Sequence, residues 1–312
     1  MVIVCDKHIP FLVEAVREEW PGVNIYPMEP EEITASSVRE ADVLVVRTRT
    51  RVHASLLEGS RVRLVCTATI GFDHIDTAYC DAQGIRWISC PGCNAKAVCD
   101  YVEEALSELN ASGTIGVVGV GHVGSLVAQM AEQKGFNILL NDPPKGIGVS
   151  LDDIAQNCDI ITFHTPLDQT TYHLCDEAFL RRCRPGALII NAARGGVIDE
   201  QALLRSGHPF ILDTWENEPY IDPAVVENAR LASMHIAGYS VAGKRNATQM
   251  CLNAISELSG LCPIDISGYT YTDTSTQKRD SAPGWLTRIS HLLKADPTAF
   301  ESLRKAYPLR GV

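Results

Sequence analysis

The feature that most restricts this chain is a short glycine loop, Gly119-Val120-Gly121-His122-Val123-Gly124, which fits G-x-G-x-x-G. The pattern alone is common, but its surroundings are specific. An apolar run, Thr114–Val118, reads as a strand leading into it, and Val123–Gln133 has the apolar spacing of a helix leading out. Gly119 then allows a tight turn, Gly121 lets backbone N–H groups approach a pyrophosphate, and Gly124 lets the helix pack close to the strand. The positive end of the helix, at His122 and Val123, faces the phosphates. Asp142 follows Gly121 by about twenty residues, at the end of a second apolar run, Asn137–Leu140. An acid there accepts hydrogen bonds from the adenosine ribose and repels a 2′-phosphate, so the loop is expected to take NAD rather than NADP.

The chain has 312 residues, which predicts roughly two domains. Val2–Cys5, Val43–Val46, Leu64–Thr67 and Trp87–Ser89 are short apolar runs suited to a parallel sheet covered on both faces. Phe11–Trp20 between them has helical spacing. Asn94–Leu109 reads as a long helix leading to a second set of strands: Thr114–Val118, Asn137–Leu140, Ile160–Phe163, Ala187–Asn191, Phe210–Leu212 and Ala232–His235. Six strands in βα alternation behind a glycine loop form the doubly wound pattern. Lys244–Leu261, Trp285–Leu293 and Pro297–Ala306 look helical, with Ser267–Ser281 a loop or linker.

Charge narrows the partners. With 27 Lys and Arg against 38 Asp and Glu, the formal net charge is −11. Nucleic-acid binding depends on phosphate neutralisation, so a nucleic-acid partner is not expected. A small anion needs a local basic site, and the tight basic cluster is Arg47-Thr48-Arg49-Thr50-Arg51. No apolar run reaches the ~20 residues of a membrane span. The opening residues lack a basic signal-like region, and the 11 cysteines are odd in number and scattered. These features predict a cytoplasmic protein with free thiols and no membrane partner. Cys90-Pro91-Gly92-Cys93 is formally C-x-x-C, and it is read as coincidence rather than a redox motif.

Chemistry-bearing residues follow three successive strands of the second set. Arg194 comes just after Ala187–Asn191, Asp213 through Pro219 after Phe210–Leu212, and His235 near the end of Ala232–His235. Ligands of α/β sheets bind at such carboxyl ends. A guanidinium suits a carboxylate through two parallel N–H bonds, and a histidine held by an acid suits general-base work.

Together, Gly119–Gly124, Asn191–Gly195, Asp213–Pro219 and His235–Gly238 resemble the D-isomer-specific 2-hydroxyacid dehydrogenases over most of residues 1–262. Further strings are similar to a member that oxidises a phosphorylated 2-hydroxy acid on the way to vitamin B6. They include Thr67-Ala68-Thr69-Ile70-Gly71-Phe72-Asp73-His74, Pro91-Gly92-Cys93-Asn94-Ala95 and Asn141-Asp142-Pro143-Pro144. The resemblance implies two Rossmann-like α/β domains, flavodoxin-like for substrate and dinucleotide-binding for NAD. The expected boundaries are 1–92 completed by 239–262, then 93–238, with 263–312 a short C-terminal α+β piece of the kind used for dimerisation.

It also implies roles. Arg194, Glu218 and His235 would be catalytic, with Glu218 rather than Glu216 partnering the histidine. Gly119, Gly121, His122, Val123, Gly124, Asp142, Thr165, Ala192, Asp213 and Gly238 would touch NAD, Asp213 through the carboxamide. Arg47, Thr48, Thr69 and Tyr239 would touch the small anionic phosphorylated substrate, Arg47 at its phosphate. A homodimer is expected, formed through the nucleotide-binding unit and the helix Asn94–Leu109. No metal is implied. Two other functions stay open: a dehydrogenase for another D-2-hydroxy acid such as 3-phosphoglycerate, and a non-catalytic NAD-sensing protein.

Overall fold

The apolar runs become strands buried on both faces. The computed structural model describes residues 1–271 and 284–311, which fall into two compact units. The first unit takes residues 1–94, 240–271 and 311. Its sheet holds β1 (Val2–Asp6), β2 (Asn24–Met28), β3 (Val43–Val46), β4 (Leu64–Thr67) and β5 (Arg86–Ile88) in the order β2-β1-β3-β4-β5, all parallel. That is the flavodoxin-like order, with its switch between β1 and β3. The helices Leu12–Glu19 and Val241–Ser259 bury Leu12, Val16, Ala247, Cys251 and Ile255 in one core of this unit.

β2 is absent from the sequence expectation. It is an edge strand, mostly exposed, and it carries Pro27. A proline is tolerated at an edge because it has no N–H to give to a ladder, so the strand lacks the continuous apolar run that marks a central one.

The second unit takes residues 95–239 and 284–310. Its strands are β6 (Thr114–Val118), β7 (Asn137–Asp142), β8 (Ile147–Gly148), β9 (Ile160–Phe163), β10 (Leu188–Asn191), β11 (Phe210–Leu212) and β12 (Leu231–Ala232). The order is β12-β11-β10-β9-β6-β7-β8, parallel except for β8. The chain reverses direction across the sheet between β6 and β9, which is where doubly wound sheets bind ligands. The leading helix forms at Ala95–Glu108, and the helix after the glycine loop at His122–Gln133.

The strand expected over Ala232–His235 stops at Ala232. His235 has φ 56, left-handed backbone that no strand accommodates, and the carboxylate of Asp213 takes up the next N–H groups. The residues expected as a separate C-terminal piece divide between the units. Ile264 and Ile266 are buried in the first, while Trp285, Leu286, Ile289, Leu293 and Phe300 are buried in the second. The helix Trp285–Ala295 is capped by Glu108, whose carboxylate accepts from the Leu286 and Thr287 N–H groups, and its Ser290 hydroxyl accepts from Ala232 N on β12 at 3.0 Å. The expected loop Ser267–Ser281 is described only as far as residue 271; the remainder lies outside the described residues.

Candidate active site

The glycine loop has the geometry of a nucleotide cradle. Gly119 has φ 88, and a Cβ there would meet the His164 backbone at 2.8 Å. A Cβ on Gly124 would collide with the Gly119 carbonyl oxygen, so only glycine lets the helix sit this close to β6. At Gly121 a Cβ would meet nothing within 4 Å, so the space above that backbone is open. Gly121 is the N-cap of the helix His122–Gln133 and supplies no capping side chain, which leaves the first helical N–H groups for a ligand. Asp142 ends β7, accepts from Val120 N at 2.8 Å and is almost fully buried. Lys145 stands 3.8 Å from the same carboxylate oxygen and donates to Val120 O. Next to the loop, Thr165 Oγ1 and His164 Nδ1 are buried without hydrogen-bond partners. Burial holds His164 down to about 4, so it is neutral at pH 7. Unfilled polar atoms beside an open backbone cradle fit a dinucleotide.

Three loops at the carboxyl ends of β10, β11 and β12 converge next. Asn191 shapes the first: its Nδ2 donates to Arg194 O at 2.8 Å and its Oδ1 accepts from Ala193 N. A Cβ on Gly195 would overlap the Trp215 backbone, so this glycine brings the Arg194 loop against the next one. There Glu218 accepts from Trp215 N through Oε1 at 2.9 Å and from His235 Nδ1 through Oε2 at 2.8 Å. Burial pushes the Glu218 carboxyl up, but the bond and charge of His235, the Trp215 N–H and the Arg304 charge outweigh it and hold Glu218 below the usual glutamate range. A carboxylate can only accept, so His235 Nδ1 carries a hydrogen and Nε2 is left as the accepting nitrogen. Beneath His235, buried Asp213 accepts from Ile236 N, Ala237 N and the Ser233 hydroxyl, stapling the turn that runs to Gly238 and Tyr239. A cavity of about 380 Å³ is walled by Arg194, Gly196, Trp215, Glu216, Glu218 and His235. A larger one, about 600 Å³, lies among Glu177, Cys183 and His208 and contains none of these residues.

Glu216, passed over as the histidine's partner, has its own: His173 Nε2 at 2.5 Å. Its backbone N–H donates to Glu200 Oε1 at 2.7 Å. Glu200 is buried, and that burial, with the nearby charges of Glu216, Asp222 and Glu218, lifts its carboxyl to about 8. Sequence reasoning missed Glu200 and His173, because each acts through a contact with a distant loop, and the exposed Tyr172 stacked on His173 at 4.0 Å.

In the first unit, the substrate candidates leave adjacent strand ends. Arg47 follows β3 and forms a paired contact with the buried Asp6 of β1, Nε to Oδ2 at 2.8 Å and Nη2 to Oδ1 at 3.1 Å. Thr69 follows β4 and donates to Gly71 O at 2.9 Å. Its contact with Thr67 Oγ1, at 2.7 Å, must therefore use the Thr67 hydrogen, and Thr67 in turn accepts from His74 Nε2 at 3.0 Å. Burial lowers the pKa of His74, in keeping with a neutral ring carrying its hydrogen on Nε2. The Thr69 hydroxyl is thus left as an acceptor. Cys90 is buried, its Sγ 3.3 Å from both Thr67 O and Ala247 O, and Cys93 is pushed up to about 12, mainly by burial, so neither thiol is activated.

A fold of this kind with an Arg, a Glu–His pair and a dinucleotide cradle on one sheet defines a class, and the chain belongs to the D-isomer-specific 2-hydroxyacid dehydrogenases. Residues 98–242, which include the cradle, match the model of that family's NAD-binding domain, and NAD is the cofactor. Among individual relatives, erythronate-4-phosphate dehydrogenase of Bacteroides fragilis is 42% identical over 99% of this chain and 97% of its own length. The enzyme of that name from Pseudomonas fluorescens is 37% identical over 99% and 92%. In fold, the chain is similar to NAD-bound 3-phosphoglycerate dehydrogenase of Entamoeba histolytica (TM-score 0.71, 22% identity, 86% of this chain and 98% of that one). It is also similar to D-lactate dehydrogenase of Aquifex aeolicus complexed with NAD and lactic acid (TM-score 0.65, 24% identity, 83% and 96%). Among the described residues no helix is long and apolar enough to cross a membrane.

Proposed function

We propose that this chain oxidises 4-phospho-D-erythronate at C2 with NAD, giving 2-oxo-3-hydroxy-4-phosphobutanoate, a reaction of pyridoxine biosynthesis. The observation that carries the reading is the Glu218–His235 pair opening onto the same cavity as Arg194, in a chain 42% identical over nearly its whole length to a relative of that activity. His235 Nε2 takes the proton of the C2 hydroxyl, and Glu218 holds the ring in the orientation and tautomer that make this nitrogen basic. The positive charge formed on the ring faces a carboxylate already ionised. Arg194 binds the substrate carboxylate and steadies the carbonyl oxygen as it forms. NAD supplies the nicotinamide that accepts the hydride. Gly119, Gly121, His122, Val123 and Gly124 hold its phosphates, Asp142 its ribose, and Thr165, Ala192, Asp213 and Gly238 its nicotinamide end.

Thr48, Thr69 and Tyr239 contact the substrate, and Arg47 offers its phosphate the guanidinium hydrogens not used on Asp6. Because the Thr69 hydroxyl accepts, it suits the C3 hydroxyl of the substrate rather than an ionised oxygen. The protein works in the cytoplasm as a homodimer built on the helix Ala95–Glu108. A steady-state assay of NADH formation tests the reading: 4-phospho-D-erythronate should be turned over in preference to 3-phosphoglycerate and D-lactate. No turnover with NAD, or a preference for 3-phosphoglycerate, would reject it.

A further inference from the structure

The substrate of the proposed reaction carries a carboxylate and a phosphate whose second pKa lies near 6, so it brings close to three negative charges at neutral pH. Arg194 answers the carboxylate. Arg47 is largely neutralised by Asp6, to which it gives two of its guanidinium nitrogens. One more arginine stands beside the catalytic pair. Arg304, on the short helix Phe300–Ala306, lies in the same unit as His235. Its guanidinium carbon is 5.6 Å from the ring centroid of Tyr239, four residues past the catalytic histidine. Its charge also reaches Glu218. Its Nε is buried without a hydrogen-bond partner, and among the described residues no carboxylate forms an ion pair with it.

Neighbouring cations on these C-terminal elements are occupied. Lys305 pairs with Glu301 at 3.8 Å, and Lys294 donates to the carbonyls of Glu227 and Ala229. Arg310 donates to the carbonyls of Ala97, Ile236, Ala237 and Tyr239. A partly buried guanidinium left with hydrogens to give is costly unless something anionic completes it. The ring of Tyr239 covers one face of the cation, but its in-plane hydrogens still need acceptors.

We propose that Arg304 is a substrate-binding residue, contributed by the C-terminal segment, whose guanidinium takes phosphate oxygens beside Tyr239. This rests on the substrate reading above. It makes the last described helix part of the active site rather than a tail attached to the nucleotide unit. Its fork of donors matches a phosphate through two parallel bonds, which a lysine at the same place cannot reproduce.

The test uses the full-length protein and the variants R304M and R304K, with thermal unfolding to show that each folds. Loss of a charge-assisted contact is expected to raise KM for 4-phospho-D-erythronate by about ten- to a hundredfold in R304M, with kcat changed little and R304K intermediate. Inorganic phosphate should inhibit the wild type competitively and inhibit R304M at least about tenfold more weakly. Independently of activity, phosphate should protect Arg304 from modification by phenylglyoxal, read by mass spectrometry. Three results would overturn the proposal: an unchanged KM in R304M; a fall in kcat with a displaced pH–rate profile and unchanged KM, which would make Arg304 a support for Glu218; or no protection by phosphate. If the wild type fails to oxidise 4-phospho-D-erythronate, the substrate reading fails, while the protection experiment still decides whether Arg304 holds an anion.

Discussion

His235 combines a left-handed backbone, φ 56, with a side chain tied to Glu218. Neither feature is free. The backbone conformation is uncommon for a residue with a Cβ, and it is held by the bond from His235 N to Asp213 O at 2.7 Å and by the Asp213 carboxylate under the next two residues. His235→Gln should lower kcat by about 10²–10⁴-fold, the usual span of general-base catalysis, with NAD affinity retained in fluorescence titration. Glu218→Gln should displace the pH–rate profile and also remove a pH-dependent contribution to stability. Glu218 has a folded pKa below its unfolded value of 4.5, so its contribution is present above that value and is lost as pH falls through the folded pKa. Comparing thermal midpoints of the wild type and E218Q between pH 3 and 7 checks the sign. Asp142→Ser should narrow the preference for NAD over NADP. Equal use of the two cofactors by the wild type would remove the role given to this acid.

At the scale of elements, the site depends on how closely the loops after β10 and β11 approach. Gly195 sets that distance, since any side chain there would overlap the Trp215 backbone. Gly195→Ala should cost about 1–3 kcal/mol of stability in denaturant titration and lower turnover by displacing Arg194. Glu200 pins the same loop from below through Glu216 N. Its folded pKa, about 8, lies above the unfolded 4.5, so the folded chain keeps a proton that the unfolded chain has lost. Stability at this site therefore falls as pH rises from 4.5 to 8. Glu200→Gln, which stays neutral and still offers an acceptor oxygen to Glu216 N, should flatten that slope in thermal melts.

For the whole molecule, the candidate site residues divide between the two sheets. The first carries the string Thr67 to His74 and the arginine cluster, and the second carries the cradle and the Glu218–His235 pair. The described C-terminal residues belong largely to the second, through Trp285, Leu286, Ile289 and Phe300 in its core and Arg310 on the carbonyls of Ala237 and Tyr239. Arg310→Ala should strand those carbonyls and lower both thermal midpoint and turnover. The dimer is checked by light scattering at micromolar concentration, where the mass should be twice the 34.0 kDa of one chain.

Local pattern alone determined the two parallel sheets, because a strand buried on both faces must be written as a continuous apolar run. It also determined the cradle, because Gly119 and Gly124 meet backbone demands that no other residue meets, while Gly121 leaves the space above its backbone open. Arg194, Glu218 and His235 were legible as chemistry-bearing residues following successive strands, and their roles came from resemblance. The edge strand β2, half exposed and holding a proline, left no such mark. What only the tertiary structure decided were partnerships between residues far apart in the chain. These include the pairing of Glu216 with His173, the Asp6 carboxylate at Arg47 and the hydrogen direction through His74, Thr67 and Thr69. They also include the C-terminal Arg304 beside Tyr239. A hydrogen bond depends on where two side chains end in space, and sequence spacing carries that information only within a single turn or strand.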